Sequence, residues 1–309
     1  MLNMKGVVHM KEVPNFPDVL KKDGFSLDTH IFRYRPDREF TDGNGKKKNF
    51  MLEEVSKFTL WHSAIDALND PFEIYAHRNV DELKEMTQEE KFKLWCRIQQ
   101  KNLPAGHRVV SNKSLKERYL QDERRGFFPK VVQSQISGGS HFDEYLHSVR
   151  TSLGIASFTE VCNSRLMWGY YCNGLSGFCL IYNKNKLLHK KVILEKVSYI
   201  SGAYQINLVD YVYGYRTSEN YDSLSEMVRT KHIEWEHERE LRSVVNLHPN
   251  EVGKGGAIQL SDSCVDAIIL GKRAREKVKF QARKLAKKIR AKVYMADVDF
   301  EEFGVKIYK

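Results

Sequence analysis

The sequence lacks a run of 18 apolar residues, so a membrane span is not expected. Its first stretch, MLNMKGVVHMKEVPNF, has no apolar run followed by a small-residue cleavage site. A secretory leader is therefore not expected, and a cytoplasmic location is. Cysteine is sparse: Cys96, Cys162, Cys172, Cys179 and Cys264 make an odd number, with no CxxC pair. That usage suits a reducing compartment with unpaired thiols and no zinc site. Buried small hydrophobes are the first reading of these five, ahead of a catalytic thiol. Neither GxGxxG after a strand nor GxxxxGK[ST] occurs, so the two common phosphate-binding loops have no support. HExxH, an EF-hand loop and GxSxG are missing as well, so neither a metal nor a Ser–His–acid triad is expected. There is no internal repeat and no low-complexity segment.

What is present can build a core. The 309 residues are 41% hydrophobic and 11% aromatic, which argues against wholesale disorder and fits one large or two modest domains. The formal charge of +10 is localised. Residues 272–292 hold eleven of the 50 lysines and arginines and, in Glu276, one of the 40 acids, which leaves 39 of each sign elsewhere. Within this stretch Val278, Ala282, Leu285 and Ile289 form one apolar stripe at helical spacing. The charges then face outward, either as a solvated face or as a grip for an acidic partner such as nucleic acid. Lys277, Arg283, Lys284, Lys287 and Lys288 are the candidate nucleic-acid contacts.

Strands are expected at HIFRYR (30–35), FTLWHS (58–63), GIASFT (154–159), GFCLIY (177–182), KVSYI (196–200) and ELRSVV (240–245). Residues 41–49, TDGNGKKKN, read as an exposed loop. Helix is expected from Val80 to about Leu103, with Thr87 and Glu90 spaced as a capping box. Two or three further helices fall within 113–150, one at 164–172 closed by Asn173 and Gly174, and one at 221–230. VDAIILG, the basic helix and KVYMADV (292–298) form a C-terminal β-α-β unit. Regular strand–helix alternation is otherwise absent. The fold expected is α+β, with a mixed, mainly antiparallel sheet and inserted helices. Residues 1–29 form an irregular lead-in, and 30–309 form one domain with a helical insertion at about 80–150.

Several constellations can carry chemistry. In WEHERELRSVV (235–245), Glu236 and Glu240 share a face if the segment is helical, and Glu236, Glu238 and Glu240 share one if it is extended. The bland reading is a surface cluster neutralised by Arg239 and Arg242. The functional one is a carboxylate at the head of a strand that faces a cleft and stabilises a cation or acts as general base. In FRYR (32–35), Arg33 and Arg35 project to one face and Tyr34 to the other, as an edge strand or as a fork for phosphate. His62 and Ser63 end a strand on opposite faces, so one of them can reach a cleft. Asn69 and Asp70 sit in a turn, NDPFE, that they can simply cap. Trp168 and Tyr171, three apart on a helix, are core or a ligand platform.

Taken in order, IFRYR, LWHSAIDALNDPFE, IASFTE, RLMWGYYCNGLSGFCLIY, KVSYI, KHIEWEHERELRSVV and VDAIILG resemble the bacterial domain-of-unknown-function family 2971, from about His30 onward. More distantly, an arginine on a first strand, a serine closing a second and Glu-x-Glu heading a later one is similar to the layout of ADP-ribosyltransferases. That resemblance implies an ADP-ribosyltransferase-like fold with NAD as substrate, no metal, and a protein or nucleic-acid acceptor, in a setting such as bacterial defence or a toxin system. It implies that Arg33 or Arg35 holds an NAD phosphate or ribose, and that Ser63 shapes the nicotinamide-ribose pocket. Glu240 would polarise the ribose 2′-hydroxyl, with Glu238 helping the acceptor. Tyr34 or Tyr171 would stack on nicotinamide, with His62, Asn69 and Trp168 also near the dinucleotide. The departures are long spacings and the helical region at about 80–150. Two other classes compete. One is a nucleic-acid-binding protein or metal-dependent nuclease that uses the basic helix, with Asp70, Glu73 and the glutamate cluster on Mg²⁺. The other is a non-catalytic interaction protein. The transferase reading requires Arg33, Ser63 and Glu240 to line one hollow that admits a dinucleotide.

Overall fold

A computed structural model describes residues 15–79, 85–101, 112–130, 139–207 and 223–309. The fold is mixed α+β around an open, mainly antiparallel sheet. Its strands are β1 (His30–Arg35), β2 (Glu39–Thr41), β3 (Lys47–Asn49), β4 (Thr59–Ala64), β5 (Ala76–Asn79), β6 (Leu153–Thr159), β7 (Phe178–Asn183) and β8 (Glu195–Lys196). They continue as β9 (Ser198–Ile200), β10 (Tyr204–Asn207), β11 (Thr230–His232), β12 (Glu240–Asn246), β13 (Gly255–Gln259), β14 (Val265–Gly271), β15 (Lys292–Asp299) and β16 (Gly304–Tyr308). The main sheet runs β13-β4-β6-β1-β7-β14-β15-β16, with β12 and then β8 attached beside β6.

The pairing around β6 creates the site. β12 pairs with every residue of β6, from Leu153 to Thr159, along one edge. The other edge is shared. β4 pairs with it only at Gly154 and Ile155, and β1 only at Thr159. Between those contacts β4 and β1 diverge, and the sheet opens over Ala156–Phe158. A sheet that splits leaves a cleft between its two branches.

Alternation along β1 sorts its side chains. Ile31 packs into a core with Phe158, Leu241, Val278 and Leu285. Phe32 and Tyr34 pack on the other side with Met167 and Trp168. Arg33 and Arg35 therefore stand on the Ile31 side. Along β12, Leu241 shares that side, so Glu240 and Arg242 point to the opposite one. The two charged sets belong to opposite faces and meet only because the sheet is split.

The expected β-α-β unit is present: β14 and β15 are parallel, joined by the helix Glu276–Ile289. Val278, Ala282 and Leu285 of its stripe are buried and Ile289 is half-buried. Burying the valine and leucine side chains stabilises the packing by about 1.5–3 kcal/mol each. The capping box before Gln88–Lys101 also forms: Glu90 N donates to Thr87 Oγ1 at 3.3 Å, and Thr87 N donates to Glu90 Oε2 at 2.8 Å. Asn173 and Gly174 close the helix Arg165–Cys172 with φ of 48° and 64°.

Several expectations need correction. The lead-in is not wholly irregular, because Asp18–Lys22 is a short helix whose Leu20 is fully buried; residues 1–14 lie outside the described set. Residues 41–49 are not a plain loop but hold the turn and second strand of the β2–β3 hairpin. The helix Phe50–Ser56 was not expected. Asn49 caps it, its Oδ1 accepting from Met51 N at 3.1 Å and Leu52 N at 3.0 Å. Of the helix expected from Val80 to about Leu103, Glu85 and Gln88–Lys101 are helical, residues 80–84 and 102–111 lie outside the described set, and Ala76–Asn79 just before it form β5, which pairs in parallel with β10. Among the described residues no helix is long and apolar enough to cross a membrane. All five cysteines are free, and burial pushes the Cys172 and Cys264 thiols up to about 12 and about 11.

Candidate functional site

The Glu-x-Glu segment is neither the helix nor the plain strand that the sequence allows. A 3₁₀ helix, Ile233–Glu238, ends at Arg239, whose φ of 44° turns the chain before β12 begins. That single left-handed residue lets Glu238 and Glu240 both turn inward, and each is 3% exposed. Arg239 points away and pairs with Glu160 at 3.1 Å.

The carboxylates are neutralised from within. Lys231 Nζ donates to Glu238 Oε2 at 2.7 Å and to Glu240 Oε2 at 3.3 Å, and lies 3.6 Å from Glu73 Oε2. Arg242 donates through Nε to Glu240 Oε1 at 2.9 Å and through Nη2 to Glu240 Oε2 at 3.1 Å, and it also pairs with Glu73. Tyr171 donates its hydroxyl to Glu238 and accepts from Asn69 Nδ2 at 2.9 Å. Three carboxylates thus face two cations. The surface salt-bridge reading is right about neutralisation and wrong about place, because Arg242 is 1% exposed.

Burial opposes ionisation of Glu240, but the Arg242 and Lys231 charges outweigh it and hold its pKa down at about 2. Burial dominates for Glu73 and raises its pKa despite the same two cations. Burial disfavours the Lys231 ammonium, yet Glu240, Glu73 and Glu238 together push its pKa above the ordinary value. Burial, then the Glu238 charge, raises Tyr171 and keeps its hydroxyl a donor.

The arginine fork is also partnered. Glu54, from the unexpected helix, takes Arg33 Nη1 on Oε1 at 3.1 Å and Arg35 Nη2 on Oε2. Arg33 Nη2 donates to Trp61 O at 2.7 Å. Arg35 keeps one spare donor: its Nε is buried with no hydrogen-bond partner. Buried donors of this kind are rare and call for an explanation.

Arg33 and Arg35, Ser63 and Asn69, and Tyr171, Glu238 and Glu240 all line one cavity at the split in the sheet. Its volume is about 140 Å³. Pockets for drug-sized ligands span ~300–1,000 Å³. The hollow is therefore too small for a whole dinucleotide, contrary to expectation. Tyr34 also borders it, but its ring packs edge-on against Trp168 at 5.3 Å. Two expected ligand contacts are core residues instead. Trp168 is 1% exposed and donates Nε1 to Cys162 O at 2.9 Å. His62 is fully buried on the far side of β4 from Ser63, bonded to Leu60 O at 3.1 Å and Ser243 Oγ at 3.1 Å. Burial and then the Arg33 charge lower its pKa to about 4, so it is neutral at pH 7.

Sequence reasoning missed Lys231 and Glu54 altogether, put Glu73 on a metal ion, and gave Arg242 its neutralising role but on the surface. Lys231 precedes a His and is the only lysine within KHIEWEHERELR, a signal that a cation accompanies the acids. Glu54 follows a good cap residue and the apolar pair Met51 and Leu52, a readable short helix. Among the described residues no group of His, Cys, Asp and Glu is arranged to hold a metal ion.

The cations of the basic helix are placed elsewhere. Lys277 pairs with Glu39 at 3.0 Å, and Lys288 lies 5.8 Å from the Phe58 ring centroid. Arg283, Lys284 and Lys287 are exposed.

The chain is a mixed α+β protein with an ion-paired polar cavity in a split sheet. A family model described as "Protein of unknown function (DUF2971)" matches residues 167–243, and over that segment the resemblance to the family holds. The segment carries Tyr171, Lys231, Glu238, Glu240 and Arg242. No curated protein and no solved structure matches the chain.

Proposed function

We propose that the chain is an ADP-ribosyltransferase-like enzyme that cleaves NAD and transfers ADP-ribose to a macromolecule. One observation carries the reading. Arginines of β1, the serine near the end of β4 and the glutamates at the head of β12 line a single cavity, although they come from both faces of the sheet. The reaction breaks the bond between ribose C1′ and the nicotinamide nitrogen, whose electron pair leaves with nicotinamide. An acceptor nucleophile then bonds to C1′ and loses its proton. Positive charge develops on the ribose meanwhile, and fixed carboxylates stabilise it. Glu240 is suited to this because its two cations keep it ionised. Glu238, tied to Tyr171 and Lys231, takes the acceptor proton in this reading. Ser63 borders the ribose position, and Arg35 Nε is the free donor for an oxygen of the substrate. The cavity accepts only one end of the dinucleotide.

The nuclease reading is weaker because Lys231 already stands among Glu73, Glu238 and Glu240, where a divalent cation would sit. The deciding experiment measures nicotinamide release from NAD by the full chain. Wild type releases it, and Ser63→Ala, Glu238→Gln and Glu240→Gln reduce it at least tenfold with circular dichroism unchanged. Wild type that neither binds millimolar NAD nor releases nicotinamide overturns the proposal. Cleavage of nucleic acid that chelator abolishes would put the nuclease in its place.

A further inference from the structure

A second cavity, of about 530 Å³, adjoins the first and shares Glu73 and Lys231 with it. Its character is different. Phe72, Tyr75, Tyr204 and Trp235 supply aromatic surface, and Phe72 and Tyr75 are 74% and 48% exposed. Solvent-facing rings that close no core call for an occupant. Tyr75 stands edge-on to His77 at 5.4 Å, and Lys231 Nζ lies 4.9 Å from the Trp235 ring centroid. The charged lining is Asp70, Glu73 and Glu234 against Lys231. Lys231 is committed to the buried carboxylates, and the three acids outnumber it. A phosphate finds no cation there. A cationic guest finds the Trp235 ring already faced by Lys231 Nζ, 4.9 Å from its centroid. An uncharged planar ring suits both conditions: it stacks on the aromatic walls, and His77 and His232 offer polar atoms to its edge.

We infer that this cavity binds the nucleobase of a nucleoside, with any phosphate directed out of it. Two sources share that chemistry, the adenine end of a dinucleotide and a base of a nucleic-acid acceptor. The shared wall at Glu73 and Lys231 puts either one beside the polar cavity. The site stands on its own geometry, and only the choice between sources leans on the proposed function.

Adenosine is the probe, titrated calorimetrically into the full chain, with Phe72→Ala and Tyr75→Ala as variants. Both rings are exposed, so melting temperatures should hold. Losing one stacked base contact, worth ~1–3 kcal/mol, weakens binding by about 5- to 150-fold. Adenosine should bind, each variant should bind it at least fivefold more weakly, and AMP should bind no more tightly than adenosine. Competition by NAD and ADP-ribose identifies the dinucleotide source. Competition by a single-stranded oligonucleotide but not by NAD identifies the acceptor source. Adenosine binding without NAD cleavage leaves this site standing while the transferase reading falls. No adenosine binding at millimolar concentration, equal binding by wild type and both variants, or preference for a cation such as arginine methyl ester overturns the inference.

Discussion

Glu73, Glu238 and Glu240 converge although all three are buried, and Lys231 and Arg242 are what make this tolerable. Removing one partner of such a buried set strands a charge, a change that typically costs 3–5 kcal/mol. The pKa values give the arrangement a pH signature. Glu240 is depressed from 4.5 to about 2, so the stability its ionisation contributes is present above its ordinary value and lost as pH falls through about 2. His62 is depressed from 6.5 to about 4. Below pH 6.5 the unfolded chain takes up a proton that the buried imidazole refuses, so stability falls from pH 6.5 to about 4 and this loss stops there. Both losses run toward acid, in adjoining windows. Urea midpoints measured from pH 7 to 2 should therefore decline in both. His62→Gln should flatten the upper window and Glu240→Gln the lower. A His62→Gln profile parallel to wild type between pH 6.5 and 4 would contradict the buried, neutral imidazole.

At the scale of elements, the helix Phe50–Ser56 matters more than its seven residues suggest, because it delivers Glu54 to both arginines. Its start depends on Asn49, which caps two backbone amides and donates Nδ2 to Asp37 at 2.9 Å. Asn49→Ala should lower stability by about 0.5–2 kcal/mol. The measurement is thermal melting beside wild type, and an unchanged midpoint would show that tertiary contacts alone hold the helix. This helix also shows what was legible in the chain. β6, β7 and β14 are recognisable because their apolar runs are long, and β1 because its β-branched and aromatic residues stop at Pro36. Phe50–Ser56 is about two turns after a glycine- and lysine-rich stretch, too short for its period to stand out. β5 and β10 pair with each other in parallel across more than a hundred residues, a partnership no local pattern announces. The candidate residues were legible for the same reason: Ser63, Tyr171, Glu238 and Glu240 sit in compact motifs. Of their counter-charges, Arg242 was legible two residues from Glu240, but Lys231 and the tie to Glu73 were not. Glu73 and Arg242 are 169 residues apart, and only the fold makes them a pair. His62 and Trp168 misled because a polar or aromatic side chain beside a motif looks the same in sequence whether it faces a cleft or a core.

At the scale of the whole molecule, the two charged features occupy different places. The basic helix packs its apolar stripe into the core that holds Ile31 and Phe158, whereas Glu240 and Arg242 point to the other side of the sheet. Several of its cations answer acids of the same chain, as with Arg275 on Asp37 and Lys277 on Glu39. Arg283, Lys284 and Lys287 are exposed along the outer face, beside Phe280 at 69% exposure. If that face grips a polyanion, its contribution is electrostatic and separable from the cavity. Reversing the three to glutamate shifts the formal charge by two units each, from +10 to +4. Binding to a single strand releases counterions with a slope of about −0.7 per phosphate contact in log affinity against log salt, so loss of three contacts should flatten the slope by about 2. Nicotinamide release from NAD alone should be unchanged in the same variant, because no atom of the cavity is altered. Modification of a nucleic-acid target should fall with the affinity. Identical salt slopes for wild type and the triple variant would make the helix a solvated face, and loss of NAD cleavage in that variant would tie the two faces of the sheet together.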